Sequence, residues 1–451
     1  MEKTVYFMDA RAMHMNHSLA AKVAALFDAA KFQNLFEKGE YVAIKLHMGE
    51  FNNTAYLRPV YVRVLAEKIK QYGGIPFVTD TCTLPYTPWA GRTNPIDYLK
   101  TAARNGFTAE SCGCPIVIAD GFGQDDIRVD LPEGIFLKEQ YIASGFAISR
   151  AVIVLSHFKG HPLGTFGGAI KNIGVGCASQ RGKLNLHGGK HPTYGLHTYS
   201  YNPVLCLGLK CANVERCMSI CPMDAIKVDE EGVHWEREKC IGCTAHLFGT
   251  MGCGVFTSLE ILDGLETASI GISDSAKAFM KLVGKENVGF INMAIDVTPW
   301  CDCIPWSDVP IVPNLGLFAS VGDPVAIDVA CLDAITESVG TPNSVAESKD
   351  VIAEGIPKMA ACGSLVGVSE NIQIMSAVKN GLGVKEYKLR NVIPQEVPNM
   401  EAGGLLPDSG IAGLTLRKLY ALKNPLPNPN AKDGGFKRNP NRIDMTEYVE
   451  R

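Results

Sequence analysis

The chain has 451 residues, of which 46% are hydrophobic and 20% are charged, and its formal net charge is −4. Its length and hydrophobic content are sufficient for two or three folded domains. The weak negative charge, without a basic run, argues against nucleic acid as a partner.

Strand and helix patterns alternate along the chain. Apolar runs of buried-strand length lie at residues 4–8, 41–45, 75–79, 115–118 and 151–155, and helical patterns such as 18–36 and 58–72 lie between them. The alternation resumes with a predicted helix at 258–283, a strand at 288–293 and a helix that begins at Asp323-Pro324, an N-cap residue followed by a first-turn proline. This order predicts an α/β fold with a mostly parallel sheet, or sheets, and crossover helices.

Polar residues follow several of the predicted strands. They are Lys45 and His47 after the second strand, Asp80 after the third, and His157, Lys159 and His161 after the fifth. The carboxyl ends of parallel strands meet at one edge of the sheet, where open α/β sheets bind ligands. We therefore expect a shared polar cleft at this edge.

A glycine-rich turn at residues 164–177 contains Lys171 and Asn172. Its backbone amides and Lys171 are suited to hold an anion such as a phosphate or a carboxylate. The turn matches neither a Walker loop nor the dinucleotide fingerprint, so the sequence gives only weak support for a nucleotide. We expect Lys171, Asn172 and the six strand-end residues to bind a small anionic ligand or cofactor.

Four histidines form two pairs with a spacing of four residues, His157 with His161 and His187 with His191. On a helix this spacing would bring both imidazoles to one face, but the glycines within both pairs argue against helices. We expect these histidines to bind an anion or move protons rather than hold a separate metal ion.

Seven of the fifteen cysteines lie between residues 206 and 253. The series runs Cys206-x4-Cys211-x5-Cys217-x3-Cys221-Pro222 and continues with Cys240-x2-Cys243 and Cys253. A C-x3-C-P ending is typical of bacterial ferredoxins, whose cysteine thiolates hold 4Fe-4S clusters. Zinc ribbons use two C-x2-C pairs, and only one is present, so iron is favoured over zinc. Because neither a signal peptide nor a membrane span is evident, we expect a cytoplasmic chain with reduced thiols.

The ligands divide between two clusters if the fourth cysteine of each half serves the other cluster, as in two-cluster ferredoxins. One cluster would then have the ligands Cys206, Cys211, Cys217 and Cys253. The other would have Cys221, Cys240 and Cys243, and His246 stands where its next cysteine is expected. Imidazole is a competent iron ligand. We expect two 4Fe-4S clusters, and one at minimum. The last ligand of the second cluster stays open between His246, Cys301 and Cys303, as does the presence of that cluster.

Cys301 and Cys303 are separated by one residue. As a hypothesis, one of them completes a cluster or lines the cleft, and the other is buried.

The sequence resembles the uncharacterised iron–sulfur centre proteins grouped as domain-of-unknown-function family 362. The matching landmarks are the strand end at Lys45, the segment 157–176 with Lys171-Asn172, the central cysteines, Cys301-Asp-Cys303 and the segment 320–328. Together they cover most of the chain except its final part. The resemblance implies an α/β domain paired with a two-cluster ferredoxin module, and it implies no particular reaction. The spacings from Cys206 to Cys217 and the histidine at 246 depart from the usual module.

These patterns together indicate how the domains are arranged. We expect an α/β domain in two parts, residues 1–195 and 258–405, that carries an inserted ferredoxin-like iron–sulfur module at 196–257. The Pro, Asn and Gly residues near the carboxyl end predict a tail at 406–451 that lies over the surface.

Two functions agree with this organisation. In the first, the chain is an iron–sulfur oxidoreductase that passes single electrons between a redox partner protein and a small anionic ligand or cofactor in the cleft. In the second, it is an electron carrier or assembly partner that docks another protein and has no substrate chemistry of its own. A ferredoxin module needs only a small part of this length, so the large α/β part favours the first. No catalytic motif identifies a substrate.

Overall fold

The structure is a computed structural model. It describes residues 3–84, 90–123, 125–187, 199–221, 223–239, 253–258, 261–364 and 367–393. The chain divides into two units, Met1–Leu405 and Leu406–Arg451, and every described residue belongs to the first. The predicted tail at 406–451 therefore lies outside the described residues, as do His191, Cys240, Cys243 and His246.

The described strands are numbered in chain order. They are β1 Lys3–Asp9, β2 Tyr41–Lys45, β3 Ile75–Asp80, β4 Ile116–Ile118, β5 Asp126–Asp130, β6 Glu139–Ala143, β7 Ala151–His157, β8 Lys159–His161, β9 Thr165–Gly167, β10 Tyr199–Tyr201, β11 Ile226–Val228, β12 Val233–Trp235, β13 Phe256–Ser258, β14 Val288–Ala294, β15 Gly316–Val321 and β16 Tyr387–Asn391.

The described α-helices are numbered in the same way. They are α1 Leu19–Ala29, α2 Pro59–Gln71, α3 Pro95–Arg104, α4 Ala109–Cys112, α5 Ala169–Gly174, α6 Gln180–His187, α7 Val214–Ser219, α8 Ile261–Val283, α9 Pro324–Glu337, α10 Val345–Ser348, α11 Met359–Gly363 and α12 Glu370–Lys379. Short 3-10 helices lie at Met15–His17, Phe32–Leu35, Ser144–Phe146, Pro203–Leu205, Gly208–Lys210, Arg237–Lys239 and Lys285–Asn287. Among the described helices, none combines the length and the apolar character that a membrane crossing requires.

Among the described residues, eight strands form one sheet in the order β16-β1-β15-β14-β7-β2-β3-β4. All neighbouring strands are parallel except at β15, which is antiparallel to both β1 and β14. β1 to β4 and β7 precede the cysteine-rich segment, whereas β14 to β16 follow it. Both flanks of that segment therefore build a single sheet, and the predicted α/β fold with a mostly parallel sheet is confirmed.

The central strands are buried on both faces because their side chains alternate between two hydrophobic layers. In β7, Val152 and Val154 belong to the layer that contains α5, α8, α9 and α12. Ile153 and Leu155 belong to the opposite layer, which contains α1 and α2. The sheet is thus covered by helices on both faces, and its carboxyl edge is left to form a site.

Two predicted helix boundaries differ from the structure. The helix predicted at 18–36 ends at Ala29, because Lys31 adopts a left-handed conformation with φ 56° and a 3-10 helix follows. Phe32 and Leu35 remain buried, so the apolar periodicity continues across the break. At the other predicted boundary, Ser258 belongs to β13 and the described helix α8 begins at Ile261.

A small lobe, called the cysteine-rich lobe, comprises residues 199–221, 223–239 and 253–258. It contains the antiparallel pairs β10 with β13 and β11 with β12, together with α7. Its core is formed by Ile226, Val233, Val255 and Phe256. The rings of Tyr201, Trp235 and Phe256 contact one another around this core, in tilted and edge-to-face arrangements. Cys206, Cys217 and Cys221 pack against the same core.

Candidate functional site

Most of the predicted ligand-binding residues meet at the carboxyl edge of the sheet. Lys45, Asp80 and His157 are the last residues of β2, β3 and β7, and the turn at 301–303 follows β14. Parallel strands bring these ends together. We call this group, with His47, Lys159, His161, Lys171 and Asn172, the sheet-edge site.

Lys45 and Asp80 form a buried ion pair in this site. The Lys45 Nζ lies 3.0 Å from Asp80 Oδ1 and donates a 2.7 Å hydrogen bond to Asn172 Oδ1. The Tyr98 hydroxyl donates to Asp80 Oδ2. Burial on its own would raise the pKa of Asp80, but the neighbouring cations, Lys45 above all, hold it at about 2. Asp80 is therefore a carboxylate that fixes Lys45 beside Asn172.

Asp302 is a second buried carboxylate, and it anchors the turn that carries the two cysteines. His157 Nδ1 lies 2.8 Å from Asp302 Oδ1, and Lys159 Nζ lies 3.4 Å from Oδ2. The other ring nitrogen of His157 faces the carbonyl oxygens of Ile295, at 2.9 Å, and Asp296, at 3.1 Å. Burial opposes ionisation, but His157 and Lys159 hold the pKa of Asp302 well below its usual range. His157 and Lys159 therefore position the 301–303 turn.

Cys301 and Cys303 face the same group of side chains. The segment turns at this point, because the Ile304 amide donates to the Cys301 carbonyl oxygen at 3.0 Å. Lys171 Nζ lies 3.4 Å from the Cys301 sulfur. The ligand atoms of His161, Cys301 and Cys303 all lie within 4.8 Å of one another, which is within reach of one metal ion. Cys301 is fully buried, whereas Cys303 is partly exposed.

Two amides of the glycine-rich turn are already bound within the fold. The first amides of α5, those of Ala169 and Ile170, donate to the two carboxylate oxygens of Asp328 at 2.7 and 2.9 Å. Burial raises the pKa of Asp328 to about 7, against the effect of these amides and of Asn292. These two amides are thus occupied from within the fold, whereas Lys171 and Asn172 contact the sheet-edge site through their side chains.

His47 carries a hydrogen-bond donor without a partner. Its Nδ1 accepts a 2.9 Å hydrogen bond from the Gly49 amide, so the neutral ring carries its proton on Nε2. Among the described residues, Nε2 is buried and has no hydrogen-bond partner. Burial, reinforced by Arg92, lowers the pKa of His47 to about 3. A neutral N–H donor is therefore available in the sheet-edge site.

Sequence reasoning missed several charged residues of this region. Arg92 pairs with the buried Glu50 at 3.0 Å, and Lys183 donates to the carbonyl oxygens of Cys82 and Ala178, each at 2.8 Å. Burial lowers the pKa of Lys183 to about 8. The feature that could have identified Lys183 is its position as a charged residue on the buried side of α6. His187 ends that helix, although the glycines after it argued against one.

The cysteine-rich lobe brings four of the predicted ligands together. Burial raises the pKa of the Cys217 thiol to about 11, and the neighbouring sulfurs of Cys253, Cys206 and Cys211 contribute to the same shift. The Gly208 amide donates to the Cys206 sulfur at 3.4 Å. Cys221 lies in the same lobe and accepts a 3.2 Å hydrogen bond from the Ala225 amide. In the described part of the chain, no three of these sulfurs lie close enough together to bind a single metal ion.

The chain is similar to a known protein family and to a solved structure. No curated protein matches the chain. The lactate racemase apoprotein from Thermoanaerobacterium thermosaccharolyticum is a similar solved structure, with 13% sequence identity and a TM-score of 0.34. The match covers 76% of this chain, which spans 60% of the length of that protein. The family model described as Domain of unknown function (DUF362) matches residues 42–333, from β2 to α9. Since this is more than half of its length, the chain belongs to the DUF362 family.

Proposed function

We propose that this protein is an iron–sulfur redox protein, which passes single electrons between a partner protein and a small anionic ligand or cofactor at the sheet-edge site. The observation that carries the proposal is the grouping of Cys206, Cys211, Cys217 and Cys253 in one small lobe. Four cysteine thiolates are the usual ligand set of a 4Fe-4S cluster.

The order of these cysteines along the chain supports a cluster rather than a zinc ion. Zinc ribbons use two C-x2-C pairs, and the series from Cys206 to Cys253 contains one. The C-x3-C-P ending at Cys221-Pro222 is typical of cysteines that hold 4Fe-4S clusters.

A second cluster is part of the proposal. Cys221 would supply one thiolate, and Cys240, Cys243 and His246 the remaining ligands. The Ala225 amide donates a hydrogen bond to the Cys221 sulfur, and outer hydrogen bonds of this kind tune iron–sulfur sites. The ferredoxin-like module would then occupy 196–257, between the α/β parts 1–195 and 258–405 and ahead of the tail at 406–451.

The sheet-edge site supplies the place for the ligand. His47 Nε2 is a buried donor without a partner among the described residues, and such a donor favours a ligand that accepts a hydrogen bond. In addition to burial, Arg92 is the cation that acts on His47, where it lowers the pKa of the imidazole. A small anion offers acceptor oxygens, so it is the ligand class that this donor suits.

Metal analysis tests the proposal directly. Protein prepared without oxygen is expected to contain about eight iron and eight sulfide per chain with both clusters, or about four of each with one. Cys217→Ser should lose about four iron, whereas Cys362→Ser, which changes a buried cysteine of α11, should lose none. Stoichiometric zinc without acid-labile sulfide would contradict an iron–sulfur site.

The ligand role of His246 has its own test. Neutral imidazole leaves the cluster with one negative charge fewer than a fourth thiolate would, so its potential should lie above that of the all-cysteine cluster. His246→Cys should keep the iron content and lower one of the two potentials in a redox titration. His246→Ala should lose one cluster. If His246→Ala leaves iron, sulfide and both potentials unchanged, the histidine is not a ligand.

A further inference from the structure

The sulfur of Cys301 is buried, yet hydrogen-bond donors surround it. Lys171 Nζ and the backbone nitrogen of Cys303 each lie 3.4 Å from it, and the ligand atoms of Cys303 and His161 lie within 4.8 Å of it. Lys159 and Asp302 lie nearby, but they pair with each other. Lys171 is thus the cation in contact with the sulfur, and this environment stabilises a thiolate.

The same contacts argue against a metal ion between His161, Cys301 and Cys303. His161 Nδ1 accepts a 2.9 Å hydrogen bond from the Gly164 amide. Burial, reinforced by the charge of Lys171, lowers the pKa of His161, so its ring is neutral and carries the proton on Nε2. A protonated nitrogen donates a hydrogen bond but does not coordinate a metal. The ammonium group of Lys171 would also repel a divalent cation.

The pKa values of the two thiols shift in opposite directions. Burial works against ionisation of Cys301, but the Cys303 thiol, Lys171 and His161 together lower the pKa of Cys301 well below its usual value. The hydrogen bond to Cys301, burial and the thiolate charge raise the pKa of Cys303 well above its usual value. Cys303 is the more exposed residue of the two, so we assign to it the first contact with a substrate.

We propose that Cys301 and Cys303 form a redox-active dithiol that reduces the disulfide bond of a small thiol compound. In this proposal Cys301 and Cys303 serve as a dithiol and not as ligands of the second cluster, for which His246 is the proposed ligand. The two sulfurs lie within 4.8 Å of each other, and Lys171 contacts the sulfur of Cys301.

The reaction transfers two electrons and one proton from the Cys301–Cys303 dithiol to the substrate disulfide. Cys303 attacks one sulfur of the substrate disulfide while its proton passes to Cys301, so a Cys303–substrate disulfide forms and one substrate thiolate leaves. Cys301 then gives its proton to that thiolate and attacks the Cys303 sulfur, which releases the second thiolate. The dithiol is oxidised to a Cys301–Cys303 disulfide, and the substrate disulfide is reduced.

Peptide mass spectrometry can follow this pair apart from the other cysteines. The full chain, prepared without oxygen, is exposed to oxidised glutathione, acid-quenched and alkylated. Chymotrypsin cleaves after Trp300 and Trp306, which isolates the hexapeptide at 301–306 from Cys331. The wild-type peptide should be recovered as the internal disulfide, whose mass is two hydrogen atoms below that of the free dithiol. Cys301→Ser should instead retain glutathione on Cys303, and Cys303→Ser should retain little on the buried Cys301.

Two further variants test whether the reaction depends on Lys171 and whether it depends on a cluster. Lys171→Met should slow formation of the internal disulfide by about tenfold, because the thiolate loses its cation. Cys217→Ser should lose iron but keep the disulfide reaction, so failure of the cluster proposal leaves this result intact. A wild-type peptide that stays a free dithiol until the chain is denatured would overturn the proposal, as would a bound metal ion that blocks the reaction until it is chelated.

Discussion

Replacement of Lys45 by methionine is expected to lower the free energy of unfolding by about 3–5 kcal/mol at neutral pH. Lys45 is 1% exposed and Asp80 is 2% exposed, so the substitution leaves a carboxylate in the interior without its cation. Urea unfolding of the two proteins measures the difference. The matched control is Lys70→Met, whose partner Glu67 lies on the surface, and it should change stability by about 0–1 kcal/mol.

The pH dependence of this difference follows from Asp80. Its pKa in the folded protein is about 2, below the ordinary value of 3.8. The pair therefore contributes stability above the ordinary pKa of the carboxyl, and this contribution is lost as the pH falls through the folded value. Without Lys45 the carboxyl of Asp80 takes up a proton more readily, so the difference in the free energy of unfolding between Lys45→Met and wild type should become smaller in acid. A difference that is constant from neutral to acidic pH would mean that the Lys45–Asp80 pair does not cause the loss of stability.

Replacement of Asp328 by alanine should also have a large effect. The Ala169 and Ile170 amides would remain buried without an acceptor, and each unsatisfied donor costs about 1–3 kcal/mol, so we expect a loss of about 2–6 kcal/mol. Lys171 and Asn172 lie on the same helix, so the disulfide reaction should slow as well. If neither stability nor reaction changes, Asp328 does not hold α5 in place.

Asp328 has a pH signature opposite to that of Asp80. Its pKa in the folded protein is about 7, above the ordinary value of 3.8, so the native state binds a proton that the unfolded chain has already released. This contribution to stability is present in acid and is lost as the pH rises through about 7. Asp328→Asn should remove this slope between about pH 4 and about pH 7 in urea titrations. An unchanged slope in that window would assign it to another group.

The sequence predicted those parts of the site that depend on local pattern. β2 was predicted with its observed bounds, and Lys45, Asp80 and His157 were placed at strand ends because a short apolar run followed by a polar residue marks that position. The carboxyl edge then follows from parallel pairing. No contact had to be known in advance for these residues.

The parts that were missed depend on contacts between distant residues. Asp328 reaches Ala169 across more than 150 positions of the chain, and nothing in the glycine-rich turn reveals that its amides are already bound. Arg92 enters the region through its pair with Glu50 rather than from a strand end. The break after Ala29 was missed because the buried residues keep helical spacing on both sides of Lys31.

The first strand has a consequence for synthesis of the chain on the ribosome. β1 pairs with β15 and β16, which begin about 310 and about 380 residues later in the chain. At about 5–20 residues per second, β1 waits about 15–60 s for β15 and about 20–75 s for β16. During that time β1 lacks both of the strands that pair with it in the native fold. A nascent chain of this topology should therefore depend on a chaperone until its last strands emerge.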